Sequence, residues 1–374
     1  MDFLAGIRVL DLSQYLPGPY AALMLADLGA EVVKVEPPGG DPARALRPLD
    51  ADGVSPMWKL VNAGKRVVTL DLKHAGDAEL LAALLSHADV LVESYRPGVL
   101  DRLGFTRPRL AALNPRLVHA ALSGYGQTGP WRLRTGHDLN YMATGGSLAA
   151  SGPQAAPAFA FPPTADYASG VQTALAVCAA LLGRARTGSG AFIDLSLTET
   201  VLAWQALPLT WAQRGAQHGA QRGAVAREGL MLNGGAAYYR IYPTKDGRFV
   251  TLGAIEPKFW QNFCAAVGRA GWSARQDEAL PQAALIAEVA ALIATRDAAD
   301  WEALLGPVDC CFAVVAEPRE VPTHPQVAAR GLVSRPDDAT VAVGFPAHVD
   351  GHAPPPRPPV RSEDAKEVLA RWSR

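Results

Sequence analysis

The chain has 374 residues, 49% of them hydrophobic, with 35 Lys and Arg against 36 Asp and Glu. Single hydrophobic cores stop growing near ~250–300 residues, so two domains are expected, and the apolar content excludes wholesale disorder. A formal net charge of -1 carries no polyanion-binding signal, so nucleic acid is not expected as a partner.

The first half alternates short β-rich runs with amphipathic segments. The start MDFLAGIRVL has an acid at position 2 and no long apolar run, so no signal peptide is expected. IRVLDLS (7–13) predicts a strand, YAALMLADLGA (20–30) a helix stopped at Gly29, and EVVKVE (31–36) a second strand. RVVTLDL (66–72) and DVLVES (89–94) predict strands on either side of the helix DAELLAALLSHA (77–88). A short helical piece near 99–112 precedes the strand RLVHAAL (116–122). Residues 165–187 read as a long helix rich in small residues, and AFIDLSL (191–197) as one more buried strand. Near-continuous apolar strands separated by helices indicate an α/β fold, a mostly parallel sheet covered on both faces. The longest apolar run, LAVCAALLG at 175–183, is too short to span a bilayer. Cys178, Cys264, Cys310 and Cys311 show neither CxxC spacing nor a zinc pattern. Each sits in an apolar stretch, so the expectation is buried thiols, no metal, no membrane partner and a cytoplasmic location.

Composition then changes. Residues 212–236 are Gly/Ala/Arg/Gln-rich and weakly patterned, like a linker, and the near-repeat RGAQHGAQRGA is too short for a solenoid. YYRIYPTKDGRFVTLGA (238–254) places two β runs around a Lys-Asp-Gly turn, a hairpin signal. Helices follow, including PKFWQNFCAAVGRA and DAADWEALLG, before CCFAVV (310–315) returns to strand character. The expected division is a large domain over 1–199, a linker over 200–235 and a smaller α+β domain over 236–310. A return linker and C-terminal segment, 311–374, then packs on the large domain.

Each candidate site residue, taken singly, has an ordinary structural explanation. His137 and Asp138 follow a loop of small residues, where Asp138 suits a cap for the helix that LNYMATGG begins. Asp166 sits at the start of the long helix, where the helix dipole favours an acid. Glu256 precedes Pro257, which suits a first helical turn. Lys73, Arg96 and Arg102 flank strand ends, as solvated charges or as ligand contacts where parallel sheets bind. Gly124-Tyr125-Gly126-Gln127-Thr128-Gly129 matches GxGxxG after a strand, which admits a nicotinamide dehydrogenase. Yet Pro130, Thr135 and Gly136 interrupt the long helix such a site requires, so the glycines are expected to let backbone lie close to something bulky.

In combination these stretches resemble the class III CoA-transferase superfamily (the CaiB/BaiF family), which includes formyl-CoA transferase, carnitine CoA-transferases and α-methylacyl-CoA racemase. The resemblance rests on 6–41 (GIRVLDLSQYLPGPYAALMLADLGAEVVKVEPPGGD), 62–73 (NAGKRVVTLDLK), 89–104 (DVLVESYRPGVLDRLG) and 114–130 (NPRLVHAALSGYGQTGP). TGHDLNYMATGG (135–146), TADYASG (164–170) and YYRIYPTKDGRFVTLGAIEPKF (238–259) complete it, over nearly the whole chain.

The resemblance implies a Rossmann-like large domain, a smaller α+β domain and an interlocked homodimer. It implies a coenzyme A thioester as substrate and no permanently bound cofactor. In transferases of this family an aspartate at the position of Asp166 attacks the thioester, forming an acyl-aspartyl anhydride. In its racemases a Gly-His-Asp triplet matches Gly136, His137 and Asp138, with Glu256 in Ile-Glu-Pro, and the His and the aspartate serve opposite faces of the α-carbon. All four acid–base positions match, so the expected activity is an acyl-CoA racemase or epimerase of 2-methyl-branched thioesters. A CoA-transferase is the alternative, and a dehydrogenase is third. The coenzyme A contacts implied are Thr69, Leu70, Asp71, Leu72, Lys73, Arg96, Gly124, Gly126, Gly136 and Tyr141. Two features depart from the racemases: Pro37 and Pro38 stand where they tend to carry Arg, and the QYLPGPY stretch with Gln14 resembles the transferases instead.

Overall fold

A computed structural model describes residues 1–217, 225–335 and 340–374. The chain divides into two compact units, one built from 1–145, 161–203 and 323–374, the other from 146–160 and 204–322.

The first unit begins with six strands: β1 (Arg8–Asp11), β2 (Glu31–Glu36), β3 (Arg66–Thr69), β4 (Val90–Glu93), β5 (Val118–Ser123) and β6 (Ala191–Ser196). Between and after them run α1 (Pro17–Asp27), α2 (Pro56–Asn62), α3 (Ala75–His87), α4 (Val99–Arg102), α5 (Arg107–Leu113), α6 (Asp138–Thr144), α7 (Thr164–Thr187) and α8 (Leu197–Ala203). Pro17 opens α1 where its missing N–H costs nothing. The helix stops at Asp27, and Gly29 then takes the φ of 101° that turns the chain into β2.

The second unit holds α9 (Ala206–Gln217), then the antiparallel sheet of β7 (Tyr239–Pro243), β8 (Phe249–Gly253) and β9 (Phe312–Val314). Against that sheet pack α10 (Pro257–Ala266), α11 (Ala283–Ile293) and α12 (Ala298–Leu305), around buried Trp260, Phe263, Val289, Trp301 and Leu305. Within the stretch read as a linker, 206–217 is helical: Pro208 falls in the first turn, where no N–H partner is needed. Residues 218–224 of that stretch, and 336–339 of the return segment, lie outside the described residues.

The chain returns to the first unit through α13 (Pro325–Arg330), a small pair of β10 (Val333–Ser334) and β11 (Ala342–Val343), β12 (Arg361–Ser362) and α14 (Ala365–Trp372). The main sheet is seven-stranded and parallel throughout, in the order β12-β3-β2-β1-β4-β5-β6. Every residue of β4 and β5 is buried, which is why both read as near-continuous apolar runs, interrupted only by Glu93, His119 and Ser123. On one face α3, α5 and α14 cover Leu10, Val33, Val68 and Leu91, with Leu84, Val368 and Trp372 in the same cluster. On the other, α1 lies against α7, and Gly170 makes their approach close: a Cβ there would meet the Pro17 carbonyl at 2.8 Å. At 24 residues α7 is long and apolar enough to cross a membrane by length and composition. Here it lies along the sheet and buries Ala168, Thr173, Val177 and Leu181.

The strand order reverses between β1 and β4, because β1 continues to β2 on one side while β4 lies on the other. In open parallel sheets that switch point opens a crevice at the carboxyl ends of the strands.

Candidate active site

A cavity of about 490 Å³ occupies that crevice. Its walls come from the segments leaving the strands: Gln14, Tyr15 and Pro17 after β1, Ser94, Tyr95 and Arg96 after β4, Ser123 and Gly124 after β5, and Leu197 after β6. The loop 132–137 and the start of α7 complete it, bringing Arg132, Arg134, Gly136, His137, Tyr141 and Asp166 to one space.

The glycine-rich run serves a side chain. A Cβ on Gly124 would stand 2.4 Å from Cε1 of Tyr141, and one on Gly136 would stand 2.8 Å from the same atom. The bulky group these glycines accommodate is therefore the Tyr141 ring, whose hydroxyl donates to the Gly136 carbonyl. Tyr125 stands edge-on against it, with ring centroids 5.3 Å apart. No helix starts at Gly129, whose φ is 81°; the next one begins at Asp138. That geometry lacks the helix N-terminus a dinucleotide pyrophosphate requires.

His137 is the N-cap of α6, and the Asn140 side chain accepts its backbone N–H at 3.0 Å. Asp138 is thus the first residue of α6, not its cap. Its carboxylate caps a different helix: Oδ1 accepts the N–H groups of Ala165 at 2.6 Å and Asp166 at 3.1 Å. These are orphan donors of the first turn of α7, satisfied from 27 residues away.

This cap sits beside Asp166. Burial, and then the negative charge of Asp138, push the Asp166 carboxyl from 3.8 up to about 7. The carboxyl is thus poised between neutral and ionised at physiological pH. Burial also carries the Tyr141 hydroxyl up to about 12, reinforced by Asp166 and Tyr125 and opposed by Arg96. His137 is exposed at the cavity wall, while Asp138 and Asp166 are half-buried.

Of the residues expected to contact coenzyme A, Arg96, Gly124, Gly136 and Tyr141 line the cavity. Gly126 lies beside it near Asp194, at φ 84°. The 69–73 segment follows β3 outside the cavity lining: Leu70 is buried in the core, Leu72 packs against it, and Asp71 accepts the exposed Lys73's N–H at 3.1 Å. Thr69 ends β3 and is exposed; Arg102 ends α4 and is likewise exposed. Glu256 belongs to the second unit, exposed at the N-cap of α10. Its side chain makes no cap bond there, and among the described residues its carboxylate has no ion pair. Cys311, expected to be buried, is exposed, and after what burial it has, the negative charge of nearby Glu256 disfavours its thiolate and helps raise the thiol. Sequence reasoning missed Arg132, Arg134 and Tyr95; Arg134 lies over the Trp131 ring at 3.9 Å. Among the described residues no cluster of three or more His, Cys, Asp or Glu is placed to hold a metal ion.

Residues 4–364 match the sequence profile of CoA-transferase family III. The chain belongs to that family. Human alpha-methylacyl-CoA racemase is 34% identical over 345 residues, covering 88% of this chain and 81% of the relative. Acetyl-CoA:oxalate CoA-transferase of Acetobacter aceti is 32% identical over 360 residues, covering 94% of this chain and 90% of the relative. Among solved structures, a CAIB/BAIF family protein from Brucella suis superposes with a TM-score of 0.83 at 26% identity, over 99% of both chains. Family members thus act on CoA thioesters by two chemistries, racemisation and CoA transfer, and this chain is an enzyme of the same set.

Proposed function

We propose that the protein is an acyl-CoA racemase or epimerase acting on 2-methyl-branched acyl-CoA thioesters. The observation that carries this reading is the Asp166 carboxyl raised to about 7, in the same cavity as His137. Inverting an α-carbon needs a base on one face and a proton donor on the other. The His137 imidazole takes the α-proton, and the C–H electron pair moves into the thioester as an enolate. Asp166 then delivers its own proton to the opposite face, leaving an imidazolium and a carboxylate, and reverse transfer or exchange with solvent resets the pair. A nucleophilic carboxylate needs its charge; a proton donor needs the raised affinity that burial and Asp138 supply. Arg96, Arg132 and Arg134 supply positive charge for the coenzyme A phosphates, joined by Lys73 beyond the cavity.

CoA transfer is the second reading, favoured by Gln14 in the cavity wall and by the transferase relative. In it the ionised Asp166 attacks the thioester carbon, expels CoA thiolate and forms a mixed anhydride. One experiment separates the two: incubation with a 2-methylacyl-CoA in deuterated water, with and without a free carboxylic acid. Racemisation predicts α-deuterium and inversion without the acid, with inversion lost in His137→Ala. Transfer predicts dependence on the acid, an anhydride that hydroxylamine traps at Asp166, and only a modest loss in His137→Ala. Trapping together with near-intact His137→Ala activity sinks the racemase.

We also propose a homodimer in which the partner supplies Glu256. The support is the uncommitted carboxylate of Glu256 and an exposed apolar stripe along α7 and α8, Val171, Leu175, Leu182 and Leu202. Glu256→Gln and Asp166→Asn chains, each inactive alone, regain activity when refolded together. A fully active monomer on sedimentation excludes the assembly.

A further inference from the structure

Four charged side chains lie fully buried beneath the cavity wall: Asp11, Lys34, Asp41 and Lys65. They form two ion pairs, Lys34 with Asp41 at 3.0 Å and Lys65 with Asp11 at 2.9 Å. Buried pairs are poor stabilisers, because desolvation offsets most of the attraction, and well-packed apolar residues often replace them at no loss. Asp11 and Lys34 lie in the central strands β1 and β2, and Asp41 and Lys65 in the segments just after β2 and just before β3, so their burial asks for another explanation.

Each of the four holds the main chain of one short segment, 13–19. Asp11 Oδ1 accepts the Ser13 N–H at 3.0 Å, and Lys34 Nζ donates to the Ser13 carbonyl at 2.7 Å. Asp41 Oδ1 accepts the Tyr15 N–H at 3.2 Å, and Lys65 Nζ donates to the Pro19 carbonyl at 2.8 Å. The segment is under constraint: Tyr15 has φ 64°, a left-handed conformation unfavourable for a residue with a Cβ. Gly18 approaches Ser13 so closely that a Cβ there would stand 2.2 Å from the serine's own. Gln14, Tyr15 and Pro17 line the cavity, and Gln14 N–H reaches across to Ser94 Oγ at 2.9 Å, beside Arg96.

We infer that Asp11, Lys34, Asp41 and Lys65 are positioning residues, a buried charge quartet that clamps the strained 13–19 turn so that Gln14 and Tyr15 form one wall of the substrate cavity. Charges suit this task because they reach main-chain donors and acceptors of both kinds with short, directional bonds, which an apolar core cannot supply. Burial depresses Lys65 to about 8 despite the opposing effect of Asp11, which is the desolvation cost of holding a charge there. The inference rests on the cavity being the catalytic site, and its test separates the two.

The test uses two double variants that each remove both charges of one pair and leave none orphaned: Lys34→Met with Asp41→Asn, and Asp11→Asn with Lys65→Met. The introduced asparagine keeps an oxygen for the turn's N–H. Both should fold, with melting temperatures within about 4 °C of wild type. Amide hydrogens at Gln14, Tyr15 and Leu16 should exchange at least tenfold faster, while those of β4 and β5 keep their protection. Turnover of a CoA thioester should show kcat/KM at least tenfold lower. Unchanged protection of 13–19 overturns the inference, as does lost protection with wild-type kcat/KM, or failure of both variants to fold. Amide exchange reads the clamp whether or not the wild type turns over, so loss of the catalytic reading shows in wild-type turnover alone.

Discussion

Replacing Asp138 with asparagine isolates charge from capping. The amide oxygen of the introduced side chain can still accept the N–H groups of Ala165 and Asp166, which Asp138 Oδ1 now holds at 2.6 and 3.1 Å. What disappears is the negative charge beside Asp166. The rise of Asp166 from 3.8 to about 7 has burial as its larger cause and Asp138 as its smaller. The charge therefore accounts for less than half of about three units, so Asp138→Asn should lower the Asp166 midpoint by at most about 1.5 units, worth about 2 kcal/mol. Titration of the protein labelled with ¹³C at aspartate carboxyl carbons reads that midpoint directly. For a racemase, in which protonated Asp166 is the donor, the alkaline limb of kcat/KM should move to lower pH by the same amount. Asp138→Ala should shift the midpoint similarly and also cost about 1 kcal/mol of stability through the lost cap. An unmoved midpoint in Asp138→Asn would falsify the electrostatic link, and equal stability of the two variants would deny the cap.

The raised Asp166 also sets a stability dependence. Between the unfolded value near 3.8 and the folded value near 7 the native state holds the extra proton, so stability falls as pH rises through that window. Asp166→Asn should accordingly be more stable than wild type at pH 8, by on the order of 2–4 kcal/mol, with no gain at pH 3 in urea unfolding. Gly124→Ala should push the Tyr141 ring out of place, costing about 1–3 kcal/mol and most of the activity. Tyr141→Ala should then cost less stability in the Gly124→Ala background than in wild type, without restoring turnover; a well-folded, fully active Gly124→Ala denies the steric role.

Much of the first unit was legible because parallel strands buried on both faces read as apolar runs: VLVE and VHAALS have no exposed residue to break the signal. The edge strand β12 was not, since two exposed residues, Arg361 and Ser362, carry no periodicity and owe their conformation to β3. Residues 146–160 likewise gave no sign that they join the second unit. At the site, His137, Asp138 and Asp166 were visible, but the partner of Asp138 was not. Local reading pairs a capping acid with the helix that follows it, whereas tertiary structure lent this one to α7. The buried quartet had a faint signature, a Lys inside VVKVE and an Asp inside RVLDLS, both charges where a central strand should be apolar. Arg132 and Arg134 had none, because their place in the cavity depends on how the loop 129–137 folds back.

The interrupted make-up of the first unit bears on how the chain is born. Strands β1 to β6 leave the ribosome early, yet β3 has no neighbour on its outer side, and α3 only part of its cover, until residues 361–372 arrive. Trp372 and Val368 seal that core, and Arg8 donates to the Trp372 carbonyl, tying one end of the sequence to the other. The nascent sheet therefore waits, with an open strand edge and the α14 side of α3 uncovered, while the entire second unit is synthesised. Both features invite pairing with other chains. Vectorial synthesis thus leaves open, for a time, an edge that the finished fold conceals.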